Sequence, residues 1–424
     1  MNHYDVVIVG AGMSGLTMAY HLEKFGYNIA IFEAGSAVGG RVRTDNVDGF
    51  QLDRGLHFFQ SSYPEAAKVL EYKSLRLKNI YPGMLIYHDE KFDLLSNPLI
   101  KWTDIFTNFF GNFHDLSDRM KFMGLLAKLS AFSESYILNS KDIDAYTFIQ
   151  QQGFSKPFIE KVFRPFMGAI FCSKDMHVSS RLFCYVLKYF TISQLALPEK
   201  GIGSIPQNIV SQLKSTTIFL NTKVKEAHED GVMLANGDYV QADRVVIATT
   251  PCDILKILPQ HEEYAQYKHV SCLYFSAYST PLKESIVAFN GSGKGIVNHI
   301  FVPTNLHKSY APKGQHLIGV SIVDIPELDD DELIDQVISE MVGWFGVKAN
   351  SWTHLKTYHI RNALPDIKKL TNIETHKKTA ENIYIIGDHT SFGSINMVMQ
   401  NSRLTAKSLH KELSTAKRQP ATAL

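Results

Sequence analysis

The chain has 424 residues, long enough for two domains rather than one small core. Hydrophobic residues make up 45% and charged residues 20%, a balance that excludes a disordered polypeptide. Lys plus Arg number 43 and Asp plus Glu 42, so the net charge is +1 and nothing in bulk favours nucleic acid or an anionic membrane.

Asp5 leads directly into the apolar run Val6–Val9, which reads as a buried parallel strand rather than a signal peptide. The run Gly10-Ala11-Gly12-Met13-Ser14-Gly15 follows, then a helix in which Leu16, Ala19, Tyr20 and Leu22 can face the sheet, ending near Gly26. Ile29–Phe32 is the second strand. The glycine run matches G-x-G-x-x-G in the context that gives the pattern meaning, after a strand and opening a helix. The first glycine permits a tight turn and the second lets the backbone approach a pyrophosphate. The third lets helix and strand pack closely, and the helix start offers free N–H groups to phosphates. Glu33, 18 residues beyond Gly15 and followed by Ala34, ends the second strand where a carboxylate can accept from a ribose. Together these predict a dinucleotide site; the alternative is a structural turn with Glu33 merely solvated.

The βαβ rhythm is lost after Tyr63-Pro64. From about 100 to 192 the chain reads as helical and rich in aromatics, with Leu116, Met120, Met123, Leu126 and Leu129 at helical spacing. The aromatic stripe Trp102–Phe113 reads as core, with a pocket wall or a membrane contact as alternatives. After Pro198, Asp230-Gly231 and Asn236-Gly237 predict tight hairpin turns. Val245–Ala248 and Ile383–Ile386 read as buried strands, residues 268–325 as β-rich, Asp329–Phe345 as a helix, and the tail after about Leu413 as frayed. The fold class expected is α/β (α+β overall). A Rossmann-like dinucleotide-binding domain is built from residues 1–75 with 200–262 and 370–424, and a helix-and-sheet substrate domain from 76–199 with 263–369.

Gly39-Gly40-Arg41 places a second close backbone approach beside a guanidinium able to fork onto a phosphate. Here the chain resembles the flavin-containing amine oxidoreductase superfamily, on the protoporphyrinogen oxidase and phytoene desaturase side. Asp53-Arg54-Gly55-Leu56-His57-Phe58-Phe59, then Tyr63-Pro64, is similar to the carotene-desaturase segment that runs along the flavin ring. Val224 matches the position whose backbone meets adenine, and Ala242-Asp243 through Thr249 resembles the strand closing the FAD domain. Ile386-Gly387-Asp388 and Gly393-Ser394-Ile395-Asn396 resemble the family's closing motif, with Asp388 toward the ribityl hydroxyls and the helix start at Ile395 toward the flavin's N1/O2 edge. The resemblance implies FAD, bound without a covalent link, since Ser391 and Phe392 stand where a linking cysteine would be. It also sets His57 against the ring, where a proton-transfer role and a purely structural one are equal alternatives.

Other patterns are missing. Gly201-Ile202-Gly203 lacks a third glycine, and Gly291-Ser292-Gly293-Lys294-Gly295 runs into a β segment, so no NAD(P) site is expected. No HExxH or G-x-S-x-G pattern occurs, and the cysteines Cys172, Cys184, Cys252 and Cys272 form no Cys-x-x-Cys pair; no metal site is expected. Arg164, in Phe163-Arg164-Pro165-Phe166, reads as a surface arginine on aromatics, with the holding of an anionic substrate group as the alternative. Aligning His269–Tyr274 with the family strand that carries the amine oxidases' lysine puts Ser271 at that place, which argues against amine oxidation. The expectation is therefore a cytoplasmic or membrane-peripheral FAD-dependent oxidoreductase. It takes a hydride equivalent from a small apolar, isoprenoid or polycyclic substrate and passes electrons to oxygen or a quinone. The alternatives are an amine oxidase, a non-redox flavin-dependent isomerase or cyclase, and a flavin-holding protein without turnover.

Overall fold

The computed structural model describes residues 3–97, 99–101, 115–260, 266–368, 377–378, 380–391 and 393–416. The aromatic stripe at 102–113 and Phe392 lie outside the described residues. The strand β1 (His3–Val9) sits inside a mainly parallel sheet, with the helix α1 (Met13–Glu23) and the strand β2 (Ile29–Phe32) following as predicted. Thr217–Phe219 lies outside β2, and Tyr239–Ile247 and then Ile383–Ile385 lie on the other side of β1. The register puts Val9 beside Phe32 on one side and Ile247 on the other.

Both faces of this sheet are covered, which explains the unbroken apolar run in β1. Val6 and Ile8 pack with Leu16 and Ala19 of α1 and with Ala406 and Leu409 of the helix Ile395–Ala416. Val7 and Val9 face the opposite way, onto Val224, Ile254 and Leu258. Each such side chain contributes roughly 1.5–3 kcal/mol on full burial. The hairpins at Asp230-Gly231 and Asn236-Gly237 join Val224–His228, Gly231–Leu234 and Tyr239–Ile247 in antiparallel pairs, as the turn residues predict.

A second, mostly antiparallel sheet runs in the order Thr353–Pro365, Tyr267–Ala277, His316–Val323, His299–Phe301, Val287–Asn290, Gly83–His88, Lys91–Ser96. The helix Asp330–Phe345 covers one face through Leu333, Val337 and Met341. Its start is capped by Asp329, which accepts from Glu332 N at 2.9 Å, and Gly346 (φ +78°) ends it. Helices Leu116–Ala131, Arg164–Phe171 and Ser180–Ile192 cover the other face.

Two local expectations need correction. In Leu116–Ala131 the buried stripe is Phe122, Leu125, Leu126 and Leu129, while Leu116 and Met120 are exposed. Leu126 and Leu129 are buried as expected; toward the start of the helix the expected stripe drifts off the face on which Phe122 meets Phe158 and Phe163. The C-terminal helix also runs on past Leu413 to Ala416, because Leu413 is itself buried against the first sheet's helices. No helix among the described residues is long and apolar enough to cross a membrane.

The loop Gly201-Ile202-Gly203 closes onto the hairpin Thr44–Val47/Phe50–Asp53. Asp53 accepts from Thr44 Oγ1 and from Ile202 N at 2.9 Å, and a Cβ on Gly201 would lie 2.3 Å from Thr44 Oγ1. Burial pushes the Asp53 carboxyl up to about 6, against the hydrogen bonds that would lower it. A carboxyl titrating above its unfolded value of 3.8 lends stability in its protonated form, which is full below about pH 4 and lost as pH rises through about 6. Across that window the wild-type unfolding free energy in urea should fall on the order of 3 kcal/mol more than that of Asp53→Asn; parallel curves would refute the assignment. At the glycine turn, a Cβ on Gly15 would sit 2.0 Å from the Gly10 carbonyl oxygen. Gly15→Ala should therefore cost about 2 kcal/mol or more in the same measurement.

Candidate functional site

At the carboxyl end of the parallel sheet the chain encloses a cavity of about 930 Å³. Open α/β sheets place ligand sites at this edge. The cavity extends from Glu33, Ala34 and Val224, past the glycine loop, to a wall of Leu56, Phe58, Tyr63, Tyr185 and Phe190.

Gly10 takes φ +103° and donates its N–H to Phe32 O at 2.8 Å, turning the chain from β1 toward α1. No side chain caps α1, so its first N–H groups at Met13 and Ser14 face the cavity. A Cβ on Gly12 would meet nothing within 4 Å, and the space there belongs to the cavity. Gly39 N donates to Ala11 O at 2.8 Å, so the second glycine pair braces the first, with Gly40 (φ +59°) behind Gly12. This open, amide-lined cradle could hold a pyrophosphate. Thr249 lines it with its Oγ1 buried and without a protein partner.

Glu33, Arg41 and Asp388 all line the cavity, and each is also engaged by the protein itself. Glu33 accepts from Ala11 N at 2.8 Å and Gly35 N at 2.7 Å, holding the glycine loop with both oxygens and leaving only their remaining lone pairs for a ribose. Arg41 does not stand free for a phosphate. Its Nη1 lies 2.7 Å from Asp388 Oδ2 and donates to the carbonyls of Asn362 and Ala363. Tyr267 donates to Asp388 Oδ1 at 2.8 Å. Burial alone would raise the Asp388 carboxyl, but the Arg41 charge, with the hydrogen bond from Tyr267, outweighs it and holds it well below the usual range. The two charges offset one another, and among the described residues Asp388 Oδ2 is left without an aligned donor.

Gly387, Asp388, Ser394 and Ile395 also line the cavity, and Ser394 Oγ accepts from Met397 N at 3.2 Å at the helix start. Asn396 does not line it: its side chain is buried, accepting from Glu65 N and donating to Tyr185 at 3.0 Å each. Nor do Gly15 and Gly55, which shape the walls from behind; Gly55 (φ +104°) accepts from Tyr274 through its carbonyl. Leu56 and His57 reach the cavity beyond that turn. His57 Nε2 lies 2.8 Å from Arg54 O, which only accepts, so the ring proton sits on Nε2 and Nδ1 is left as an acceptor. Burial, with the Arg41 charge, lowers its pKa and keeps the ring neutral.

Ser271 is turned away from the cavity. Its hydroxyl donates to Asp324 O at 3.1 Å and lies 3.0 Å from His359 Nδ1, while Cys272 and Tyr274 point toward Leu56 and Gly55. Side chains alternate along a strand, so Ser271 lies on the opposite face from Cys272 and Tyr274, and no residue of Tyr267–Ala277 lines the cavity. Arg164 pairs with Glu160 and the carbonyl of Lys174, outside the cavity. None of the four cysteines lines the cavity, and burial pushes the thiols of Cys172, Cys184 and Cys272 up to about 12. Sequence reasoning missed Tyr185 and Tyr189, which form the far wall with Tyr63. Their spacing of four on one helix face was the available signal.

Comparison with known proteins agrees with this geometry. The family profile described as flavin containing amine oxidoreductase matches residues 13–410. The 15-cis-phytoene desaturase of Arabidopsis thaliana is 23% identical over 91% of this chain and 75% of its own length. Protoporphyrinogen oxidase 2 of the same plant is 39% identical over 18% of this chain, a stretch that spans only 15% of that protein. A structure of a putrescine oxidase variant shares the fold with a TM-score of 0.74 at 16% identity, over 97% of this chain and 99% of that one. The chain belongs to the flavin-containing amine oxidoreductase family and is a flavin-dependent oxidoreductase.

Proposed function

We propose that the cavity holds FAD non-covalently, adenine end at Val224 and ring end at Leu56 and His57, and that the enzyme oxidises a small apolar substrate there. In this assignment residues 1–75, 200–262 and 370–424 form a Rossmann-like coenzyme domain, and 76–199 with 263–369 the substrate domain. The open cradle at Gly12 and the bare start of α1 suit the pyrophosphate, and Asp388 suits the ribityl hydroxyls, with Arg41 neutralising the pair. Bound FAD would supply a hydride acceptor at N5, with the electrons passing on to oxygen or a quinone.

One observation carries the choice of substrate class. The carboxylates lining the cavity are Glu33, Asp253 and Asp388, all toward the coenzyme end, whereas the far wall is Phe58, Tyr63, Ile170, Tyr185 and Phe190. An ammonium ion would meet no counter-charge there, and the neutral His57 supplies an acceptor rather than a charge. The walls orient an apolar body and exclude water, and His57 Nδ1 can take the proton that leaves with the hydride. Four unpaired cysteines fit a reducing compartment, and we place the protein in the cytoplasm, free or at a membrane surface, without nucleic-acid partners.

Purified protein should be yellow or take up added FAD, which denaturant then releases. Anaerobic mixing of the loaded protein with isoprenoid and polycyclic compounds should bleach the flavin for at least one of them. Bleaching by amines alone would overturn the substrate class. Gly12→Ala should keep the unfolding midpoint within a few degrees but weaken FAD binding at least about tenfold, because the added methyl group enters the cradle with no protein atom within 4 Å. Unchanged FAD affinity would remove the pyrophosphate from that place.

A further inference from the structure

Beyond the aromatic wall the cavity continues into a narrower chamber of about 90 Å³. Leu56, Phe58, Ala169, Ile170, Phe190 and Leu195 line both spaces, so the two are contiguous. The chamber is walled largely by apolar side chains, among them Met84, Leu95, Phe122, Phe166 and Phe289. Most of its polar lining groups are engaged. Tyr81 accepts from Lys101 at 3.0 Å, Asn97 donates to the carbonyls of Phe190 and Thr191, Ser96 and Ser193 bond to nearby carbonyls, and Gln194 accepts from Asn79.

Gln194 is half-buried and keeps its amide N–H groups, whereas His299 is a fully buried group with a donor to spare. It is 3% exposed and lines the chamber. Its Nδ1 lies 3.0 Å from Asn298 Nδ2, and that same amide nitrogen donates to Pro165 O at 3.0 Å, which fixes the amide's orientation. Turned over, the amide would set its oxygen against the Pro165 carbonyl oxygen, which only accepts. An amide nitrogen donates, so His299 Nδ1 accepts and the ring proton sits on Nε2. Among the described residues none takes that proton, although the ring is buried. Burial also lowers the imidazole pKa to about 3, so the ring stays neutral at physiological pH.

We propose that the chamber recognises an uncharged oxygen acceptor, a carbonyl or ether, on an apolar chain or ring, and that His299 Nε2–H is its hydrogen-bond donor. This deepens the substrate class proposed above and relies on that proposal only for the location of the site. Asn298 acts as a positioning residue by fixing the tautomer. A buried donor facing an apolar branch is left unpaired, so a substrate of the same shape without the oxygen is penalised.

The test is calorimetric titration of FAD-loaded protein with geranylacetone, an isoprenoid methyl ketone, and with the hydrocarbon of the same skeleton. The ketone should bind about five- to tenfold more tightly, the worth of one neutral hydrogen bond. His299→Leu should abolish the difference while leaving the flavin spectrum intact. On the wild-type protein, nitrogen NMR of labelled histidine should show Nε2 of His299 protonated and shifted by the ketone, not by the hydrocarbon; this readout does not depend on how the variant folds. Equal affinities, no binding of either compound, a preference that survives His299→Leu, or an unprotonated Nε2 would each overturn the proposal. Protein that takes up no FAD yet still prefers the ketone would sink the coenzyme assignment and spare this one.

Discussion

The structure depends on one close approach. Where β1 hands the chain to α1, Gly15 lies against the Gly10 carbonyl with no room for even a methyl group between them. That contact lets α1 start directly over the strand's end and leaves its first amides bare rather than spent on a side-chain cap. Glu33 then holds the loop from the second strand by taking Ala11 N and Gly35 N, and Gly39 N closes it from the other side. Three separate segments thus converge on a turn with almost no side chains of its own. Backbone, not side chain, is what faces the cavity there.

A second convergence joins parts of the chain far apart in sequence. Arg41, Tyr267 and Asp388 meet in one buried knot, with the carbonyls of Asn362 and Ala363 completing the guanidinium's partners. Buried pairs of this kind repay their desolvation only when the geometry is good and the remaining protons are satisfied. Here the pair takes support from both sheets, because Tyr267 begins a strand of the second sheet and Asp388 follows the last strand of the first. Arg41 and Asp388 both line the cavity, so the knot ties its wall to both sheets.

The parts of this fold legible in sequence are those where one residue type has one physical reason. Gly10, Gly12 and Gly15 each answer a separate steric demand, the unbroken run Val6–Val9 reports burial on two faces, and Asn236-Gly237 reports a turn with positive φ. Less was legible where a polar side chain had a choice of partners. Arg41 and Glu33 were read toward a ligand, and the structure shows them bound first to the protein, a preference that no spacing records. Asn396 was read into the site from its neighbours, yet it points to Glu65 and Tyr185, because only one face of a helix start can look at a cavity. Ser271 was placed by alignment alone, and on a two-residue period alignment says little about which face a side chain takes; its hydroxyl is spent on Asp324 O and His359.

The character of the reaction chamber follows from comparing two costs. Moving an ammonium ion from water to a wall of Phe58, Tyr63, Ile170 and Phe190 costs several kcal/mol after relaxation. No carboxylate lines that end to offset it, and a neutral hydrogen bond returns only about 1 kcal/mol. The two histidines that reach the joined spaces, His57 and His299, are both held neutral by burial, and both carry the ring proton on Nε2. They differ in where that proton points. His57 spends it on the Arg54 carbonyl and offers a lone pair, whereas His299 spends its lone pair on Asn298 and offers the proton. One space can thus take up a proton at the ring end and hold an oxygen at the other, with no charged group in between. That division suits a molecule that enters uncharged and leaves uncharged, having lost hydrogen rather than having exchanged an ion.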